Sequence, residues 1–272
     1  MNNQLSKGIT IAAKVFAVVL IVGIISGIVE ACFGIGKSIF DKEEEPKTSV
    51  TQQISGSSQV NDEAKIVLDL RATEVNVTLG DEFSYNTDNE YIRVKNDGKF
   101  IEIIEKEHRT TDITHLNIVL PRDTVFATFD LDAGAGNITV EGLKCRNADI
   151  DLGAGNVVFD SLEVSGYADI DAAAGQLTVK DGLVNNLDFD MGVGETVITS
   201  LLTGNSSLDC GVGNLELNVK APYENFTVNV EKGLGAVNIN NQRVSSDSVL
   251  GSGPDKLEIS GGLGNITVTF EN

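Results

Sequence analysis

The chain has 272 residues and a formal net charge of −20, because 40 acidic residues outnumber 20 basic ones. This shortage of Lys and Arg excludes nucleic acid as a partner, since phosphate contacts depend on those side chains. The acidic balance is compatible with a cationic partner, with bound cations or simply with a soluble surface.

An apolar segment follows the first residues. It is uncharged from Val15 to Val29, which is short for a bilayer core of about 30 Å. Lys14 can snorkel to one interface and extend the span back to Ile9. We therefore predict one transmembrane helix, a signal anchor within residues 9–36, with a cleaved signal peptide as the alternative.

The charges on either side of this segment predict its orientation. Lys7 and Lys14 are basic, whereas the acidic run Asp41–Glu45 follows the apolar stretch. The positive-inside rule then places residues 1–8 in the cytoplasm and the C-terminal domain outside, in a single-pass protein of the cell membrane. Residues 37–63 are charged, then rich in Ser, Gln and Thr, which predicts a flexible linker.

A glycine motif recurs seven times in the rest of the chain. GAGNITV at 134–140 returns as GAGNVVF at 153–159, and looser copies follow at intervals of 19, 20, 19, 19, 22 and 29 residues. The glycines allow the positive φ angles of tight corners. The predicted corner glycines are Gly136, Gly155, Gly175, Gly194, Gly213, Gly235 and Gly264.

Residues before each corner alternate with period two. Phe129, Leu131 and Ala133 face one side, and Asp130 and Asp132 face the other. Alternation interrupted by frequent turns predicts short strands. A repeat of 19 to 20 residues matches one coil of a β-helix, in which each coil buries its apolar side against its neighbours.

We therefore predict an all-β chain, a β-solenoid with coils of about 19–20 residues. The regular repeats occupy 126–272, and 64–125 is predicted as an N-terminal β-region that caps the open end of the stack. Cys145 and Cys210 fall in apolar columns and are predicted to be core residues.

The outward positions of successive coils are predicted to stack into two acidic columns, here called the acidic face. Like charges about 4.8 Å apart repel by about 0.9 kcal/mol in bulk water, which an exposed surface tolerates. The face is therefore a solvated surface, a binding site for a cationic peptide or polymer, or a weak Ca²⁺ site. It comprises Asp130, Asp132, Asp149, Asp151, Asp169, Asp171, Asp188, Asp190, Asp209 and Glu231.

No catalytic constellation is recognisable. His108 and His115 are the two histidines, and no metal-binding spacing or nucleophile elbow accompanies them. Carbohydrate-cleaving β-helices use aspartates as acid and base, but the basic and aromatic residues that usually surround such sites are missing from these coils. We predict no enzyme activity, no cofactor and no metal site. An amide ladder is predicted at Asn137, Asn156, Gln176, Asn214 and Asn265.

From Ala64 to Asn272 the chain resembles the putative-adhesin family of β-strand-repeat domains. The lead-in Leu120-Pro121-Arg122-Asp123 and the repeated D-L-x-x-G-x-G-N-I carry the resemblance. It implies a domain of unknown function in bacterial, mainly Gram-positive, envelope proteins, some of them associated with envelope stress. It implies no catalytic residues.

Two functions follow as hypotheses. The first is a non-enzymatic, membrane-anchored surface protein, an adhesin-like or envelope-stress-associated binding module that presents the acidic face to a cationic peptide or envelope component. The alternative is a self-assembling scaffold of the cell envelope, because Ile266–Phe270 is the last strand of the sequence and has no obvious cap. The oligomeric state is left open.

Overall fold

The computed structural model describes residues 54–58, 60, 63–106 and 113–271. The predicted cytoplasmic N-terminus, the predicted membrane segment at 9–36, most of the predicted linker and His108 lie outside the described residues. Within the described part of the chain, no helix is both long enough and apolar enough to cross a membrane.

The described residues form eighteen strands and one turn of 3-10 helix at Tyr223–Asn225. The strands join a single continuous sheet, so the predicted all-β, solenoid-like fold is confirmed. The strands are β1 Ile54–Ser58, β2 Lys65–Leu70, β3 Glu74–Gly80, β4 Phe83–Thr87, β5 Ile92–Asn96, β6 Phe100–Glu105, β7 His115–Pro121, β8 Phe126–Val140, β9 Leu143–Phe159, β10 Leu162–Val179, β11 Gly182–Asn185, β12 Leu187–Thr203, β13 Asn205–Val219, β14 Phe226–Lys232, β15 Ala236–Ile239, β16 Gln242–Val244, β17 Ser248–Gly251 and β18 Asp255–Phe270.

The central coils are built from β8, β9, β10, β12 and β13, which pair in parallel in chain order. Because the sequence repeats at the same interval as the coils, most buried apolar positions meet an apolar position in the next coil; Thr196, between Leu177 and Leu215, is an exception. Each buried apolar side chain stabilises the fold by about 1.5–3 kcal/mol. One column, at most 1% exposed, contains Leu131, Ile150, Ile170, Phe189 and Leu208.

Each long strand changes direction at its glycine corner. In β8 the buried residues carry odd numbers from Phe129 to Ala133 and even numbers from Ile138 onward, so the inward side shifts phase across the corner. At Gly175 the φ angle is 139°, and a Cβ atom there would overlap the carbonyl oxygen of Gly155 in the preceding coil. Glycine is therefore required by backbone conformation and by the close approach of the next coil.

At the C-terminal end, the order of strands in space differs from their order in the sequence. Strand β18 lies between β13 on one side and β14 with β15 on the other, in parallel with all three. The prediction that Ile266–Phe270 has no cap is therefore wrong. The outermost strands β14 and β15 are covered by β17 and β16, which pair with them antiparallel.

A similar insertion occurs at the N-terminal end. Strands β2 and β3 pair in parallel with β8 on one side and with β6 and β7 on the other. Antiparallel strands β5 and β4 then cover β6 and β7. Strand β1, within the segment predicted as a linker, pairs with β4, so that prediction is wrong for Ile54–Ser58.

Both terminal coils therefore end in short antiparallel strands. Such strands interrupt the long parallel edge along which further coils would be added. The uncapped C-terminal strand that favoured the scaffold hypothesis is covered by β14 and β15.

Candidate functional site

The structure places nine of the ten predicted acidic residues on one face of five consecutive coils. They lie one position before or after a buried residue, so they point outward. Neighbouring strands are about 4.8 Å apart. In register, the first column contains Asp132, Asp151, Asp171, Asp190 and Asp209, and the second contains Asp130, Asp149, Asp169 and Asp188.

The tenth predicted residue, Glu231, is not adjacent to Asp209. Because β18 is inserted between their strands, Ser260 lies opposite both residues. At the other end, the first column gains Asp69, which pairs with Asp132. The Asp-Leu pair at 69–70 repeats the motif of the later coils and is the signal that could have assigned Asp69 to the column.

A groove of about 590 Å³ runs beside the first column. Its acidic wall is formed by the five aspartates from Asp132 to Asp209. Its other lining residues are mostly small or apolar, so an elongated ligand could place charged groups on the wall and aliphatic groups on the floor. These lining residues include Ala133, Gly134, Leu152, Gly153, Ala172, Ala173, Met191, Gly192 and Gly211.

Crowding of the carboxylates changes their protonation. Burial raises the pKa of Asp169, and the neighbouring charges of Asp171, Asp188, Asp149 and Asp151 raise it further. The pKa values of Asp151 and Asp190 are raised for the same two reasons, with burial first. The face therefore carries repulsion that a bound cation would relieve.

Few cations of the protein itself neutralise this face. Lys65 Nζ lies 3.0 Å from Asp130 Oδ2 at its N-terminal edge. Of the five strands that carry the nine aspartates, only β9 contains Lys or Arg, and its Lys144 and Arg146 pair with Glu163 and Glu63. The first column, from Asp132 to Asp209, has no such partner among the described residues, so its carboxylates can contact positive groups of another molecule.

Tyr167 is an aromatic residue on the same face that the sequence reasoning missed. It is 42% exposed, and its hydroxyl donates a hydrogen bond to Asp188 Oδ2 at 3.2 Å. Burial and the charges of Asp169 and Asp188 raise its pKa to about 12, so the hydroxyl stays protonated. An aromatic ring beside carboxylates attracts organic cations.

The predicted corner glycines lie in one ladder, although not in chain order. Six of them, all except Gly235, have φ angles between 136° and 157°. A Cβ on Gly235 would overlap the carbonyl oxygen of Gly264, so Gly235 follows Gly264 and not Gly213. The predicted amide ladder lies beside the glycines, and Asn265 Nδ2 donates to Asn214 Oδ1 at 3.5 Å.

Neither described cysteine is arranged for catalysis. Cys145 and Cys210 are free and buried, as predicted. Burial raises the pKa of both thiols to about 12, which keeps them protonated and unreactive. Among the described residues, no group of three or more His, Cys, Asp or Glu side chains is arranged to hold a metal ion.

A match over most of the chain shows which protein family it belongs to. The family model described as Toastrack DUF4097 matches residues 39–269. The chain belongs to this family. The predicted resemblance to a family of unknown function is thereby confirmed. No curated protein matches the chain.

Several solved structures are similar to the chain. A putative adhesin from Bacteroides fragilis is 16% identical with a TM-score of 0.50, and the match covers 80% of this chain and 97% of that one. A putative cell adhesion protein from Clostridium sporogenes is 15% identical, with a TM-score of 0.37 and coverage of 81% and 99%. A putative lipid binding protein from Parabacteroides distasonis is 12% identical, with a TM-score of 0.39 and coverage of 82% and 98%. The first of these similarities shows a shared fold.

Proposed function

We propose that the protein is a non-enzymatic, membrane-anchored surface protein whose acidic face binds a cationic peptide or a cationic component of the cell envelope. The observation that carries this proposal is the stack of nine aspartates on five coils. Among the described residues, Asp130 is the one member of the stack that forms an ion pair with a cation of the protein. An adhesin-like or envelope-stress-associated role is consistent with this surface. The name putative adhesin, given to the Bacteroides structure, agrees with a binding role.

The partner binds through many weak contacts. An exposed ion pair contributes about 0.2–1 kcal/mol, and salt screens it. Five or more carboxylates contacted together supply useful affinity only if the partner presents several positive groups at once. The partner is therefore a polycation, and its affinity falls steeply as salt is added.

Binding to an oligolysine peptide tests the acidic face. The full chain would be compared with a variant in which Asp132, Asp151, Asp171 and Asp190 are changed to Asn. The variant should bind at least about 4-fold more weakly at low salt, because each of the four lost pairs removes about 0.2–1 kcal/mol. Unchanged affinity of the variant would eliminate the acidic face from the mechanism.

A charge-matched control separates local contacts from net charge. Glu195, Glu216, Glu224 and Asp247 are exposed, lie outside the acidic face and can be changed to Gln or Asn with the same loss of four negative charges. This control should bind nearly as well as the unchanged chain. An equal loss in both variants would mean that overall charge is responsible. Acetylated oligolysine should bind neither protein.

The membrane anchor is part of the same proposal. Its support is the apolar segment within residues 9–36 and the basic residues Lys7 and Lys14. Protease added to intact cells should digest the C-terminal domain without lysis. Protection of that domain until the cells are lysed would contradict the proposed outward orientation.

A further inference from the structure

A second group of polar side chains lies at the N-terminal end of the amide ladder, on the side of the coils that follows the corners. Glu74 pairs in register with His115, and Asn137 Nδ2 donates a hydrogen bond to Glu74 Oε1 at 3.2 Å. Histidine, carboxylate and amide therefore occupy three consecutive coils. They are distant in the sequence and meet because β3 is inserted between β7 and β8.

The imidazole of His115 is held in one orientation by Asp88. Its Nδ1 lies 2.9 Å from Asp88 Oδ2, and its backbone N–H donates to Asp88 Oδ1 at 2.6 Å. An ionised carboxylate only accepts, so Nδ1 carries the proton and donates it. In neutral His115 the lone pair is then on Nε2, the nitrogen that faces Glu74.

The distance between the two facing groups suits a shared metal ion. His115 Nε2 and Glu74 Oε2 are 3.9 Å apart, which is too long for a hydrogen bond. Two ligands that each lie about 2.1 Å from a tetrahedral ion are about 3.4 Å apart, so a small movement of either exposed side chain would let both atoms bind one ion. Asn137 Nδ2 donates to the other carboxylate oxygen, Oε1, and so holds the Glu74 carboxylate from the opposite coil.

The surroundings match the second shell of a histidine metal site. Histidines that bind metals usually donate their other ring N–H to a carboxylate, which fixes the ring and increases its basicity. Asp88 has this position relative to His115. The side chains of His115 and Glu74 are 56% and 39% exposed, so an ion can reach them from solvent.

We propose that His115 and Glu74 form a surface site for a divalent transition-metal ion, with Asp88 as the positioning residue of His115 and Asn137 as that of Glu74. Imidazole favours zinc and its neighbours over calcium and magnesium. Two protein ligands leave the remaining coordination positions open for water or for a ligand from a partner. This site is separate from the acidic face and does not depend on the proposed function.

The test is a titration of the full chain with Zn²⁺ by calorimetry, followed by NMR of the imidazole nitrogens. We expect one zinc ion to shift the His115 resonances, and His115→Ala to abolish this binding. Asp88→Asn should weaken it by about 10- to 100-fold, as expected for a second-shell carboxylate. Ca²⁺ in excess should not displace the zinc.

Two controls locate the site. His108→Ala removes the other histidine and should leave zinc affinity unchanged, as should the four-Asn variant of the acidic face. Thermal unfolding of each variant in EDTA confirms that its fold is retained. The proposal is overturned if His115→Ala binds zinc as tightly as the unchanged chain, or if His108→Ala or the four-Asn variant loses the binding.

Discussion

The central coils and the N-terminal end of the stack satisfy the backbone N–H groups of their corners in different ways. In the central coils, chain order equals spatial order, and every corner has glycine because the next corner lies directly against it. At the N-terminal end, the corner of the β2–β3 coil is Arg71–Thr73, which contains no glycine. Its backbone N–H groups are bound instead by a side chain, the carboxylate of Glu105.

Glu105 caps the backbone N–H groups of this corner near the N-terminal end of the solenoid. Its Oε2 accepts hydrogen bonds from the backbone N–H groups of Arg71, Ala72 and Thr73, at 2.7, 3.0 and 3.3 Å. Asn89 Nδ2 donates to its Oε1 at 2.9 Å. In the interior of the stack, an adjacent backbone satisfies such groups. At the end, one buried carboxylate replaces it, because buried N–H groups must be paired.

The largest loss of stability is expected when a corner glycine of the central coils is replaced. Gly175→Ala forces a side chain into a φ of 139° and against the Gly155 carbonyl. It should lower the free energy of unfolding by about 3 kcal/mol or more. Urea unfolding measures this loss, with the exposed neighbour substitution Gln176→Ala as a control within about 0.5 kcal/mol. Equal midpoints for the two variants would refute the requirement for glycine.

A smaller loss of stability is expected when the hydrogen bonds of Glu105 at the N-terminal end are weakened. Glu105→Gln should cost about 2–3 kcal/mol at neutral pH, because a buried, charge-assisted hydrogen-bond network is weakened. Glu102→Gln is the matched control on the same strand, since Glu102 makes a more exposed ion pair with Lys95. The control should lose less than about 1 kcal/mol.

The pH dependence of this effect has a definite sign. Burial alone would raise the pKa of Glu105, but hydrogen bonds from Ala72, Arg71, Thr73 and Asn89 outweigh burial, and the pKa is lowered. Its stabilisation is therefore present above the unfolded-state pKa and is lost as pH falls through the folded-state pKa. The difference between Glu105→Gln and the unchanged chain should shrink on acidification. A constant difference would contradict this assignment.

The smallest change in the free energy of unfolding is expected on the acidic face, and it is a gain instead of a loss. The folded-state pKa of Asp169 is raised, so its contribution to stability is greatest below the unfolded-state pKa and is lost as pH rises through the folded-state pKa. Asp169→Asn should therefore stabilise the fold at neutral pH, by less than about 1 kcal/mol. Salt and acid should both remove the gain. Urea unfolding at low and high salt measures it.

Asp160→Asn is the matched control for Asp169→Asn, because Asp160 has a neighbouring lysine. Asp160 Oδ1 lies 2.6 Å from Lys180 Nζ, so removing its charge should give no stabilisation. A gain in this variant equal to that of Asp169→Asn would mean that net charge, and not stacking in a column, is responsible.

The central coils could be predicted from sequence because equal intervals fix both the register and the outward columns. The order at the ends could not, since strand pairing between distant segments leaves no periodic signal. Two hints were available. GLGNITV at 262–268 keeps the Asn that GLGAVNI at 233–239 lacks, and Lys232 interrupts an apolar column. The contacts of Glu105 with Arg71–Thr73 and of His115 with Glu74 depend on the inserted strands, so spacing alone could not reveal them.

The most direct test of the acidic face is to map where a polycation binds. A carbodiimide joins lysines to carboxylates in direct contact, and mass spectrometry then identifies the residues of the full chain linked to oligolysine. We predict linkage at Asp132, Asp151, Asp171, Asp190 and Asp209, suppressed by salt. Linkage spread evenly over all exposed carboxylates, or concentrated at Glu195 and Glu216, would contradict the proposal.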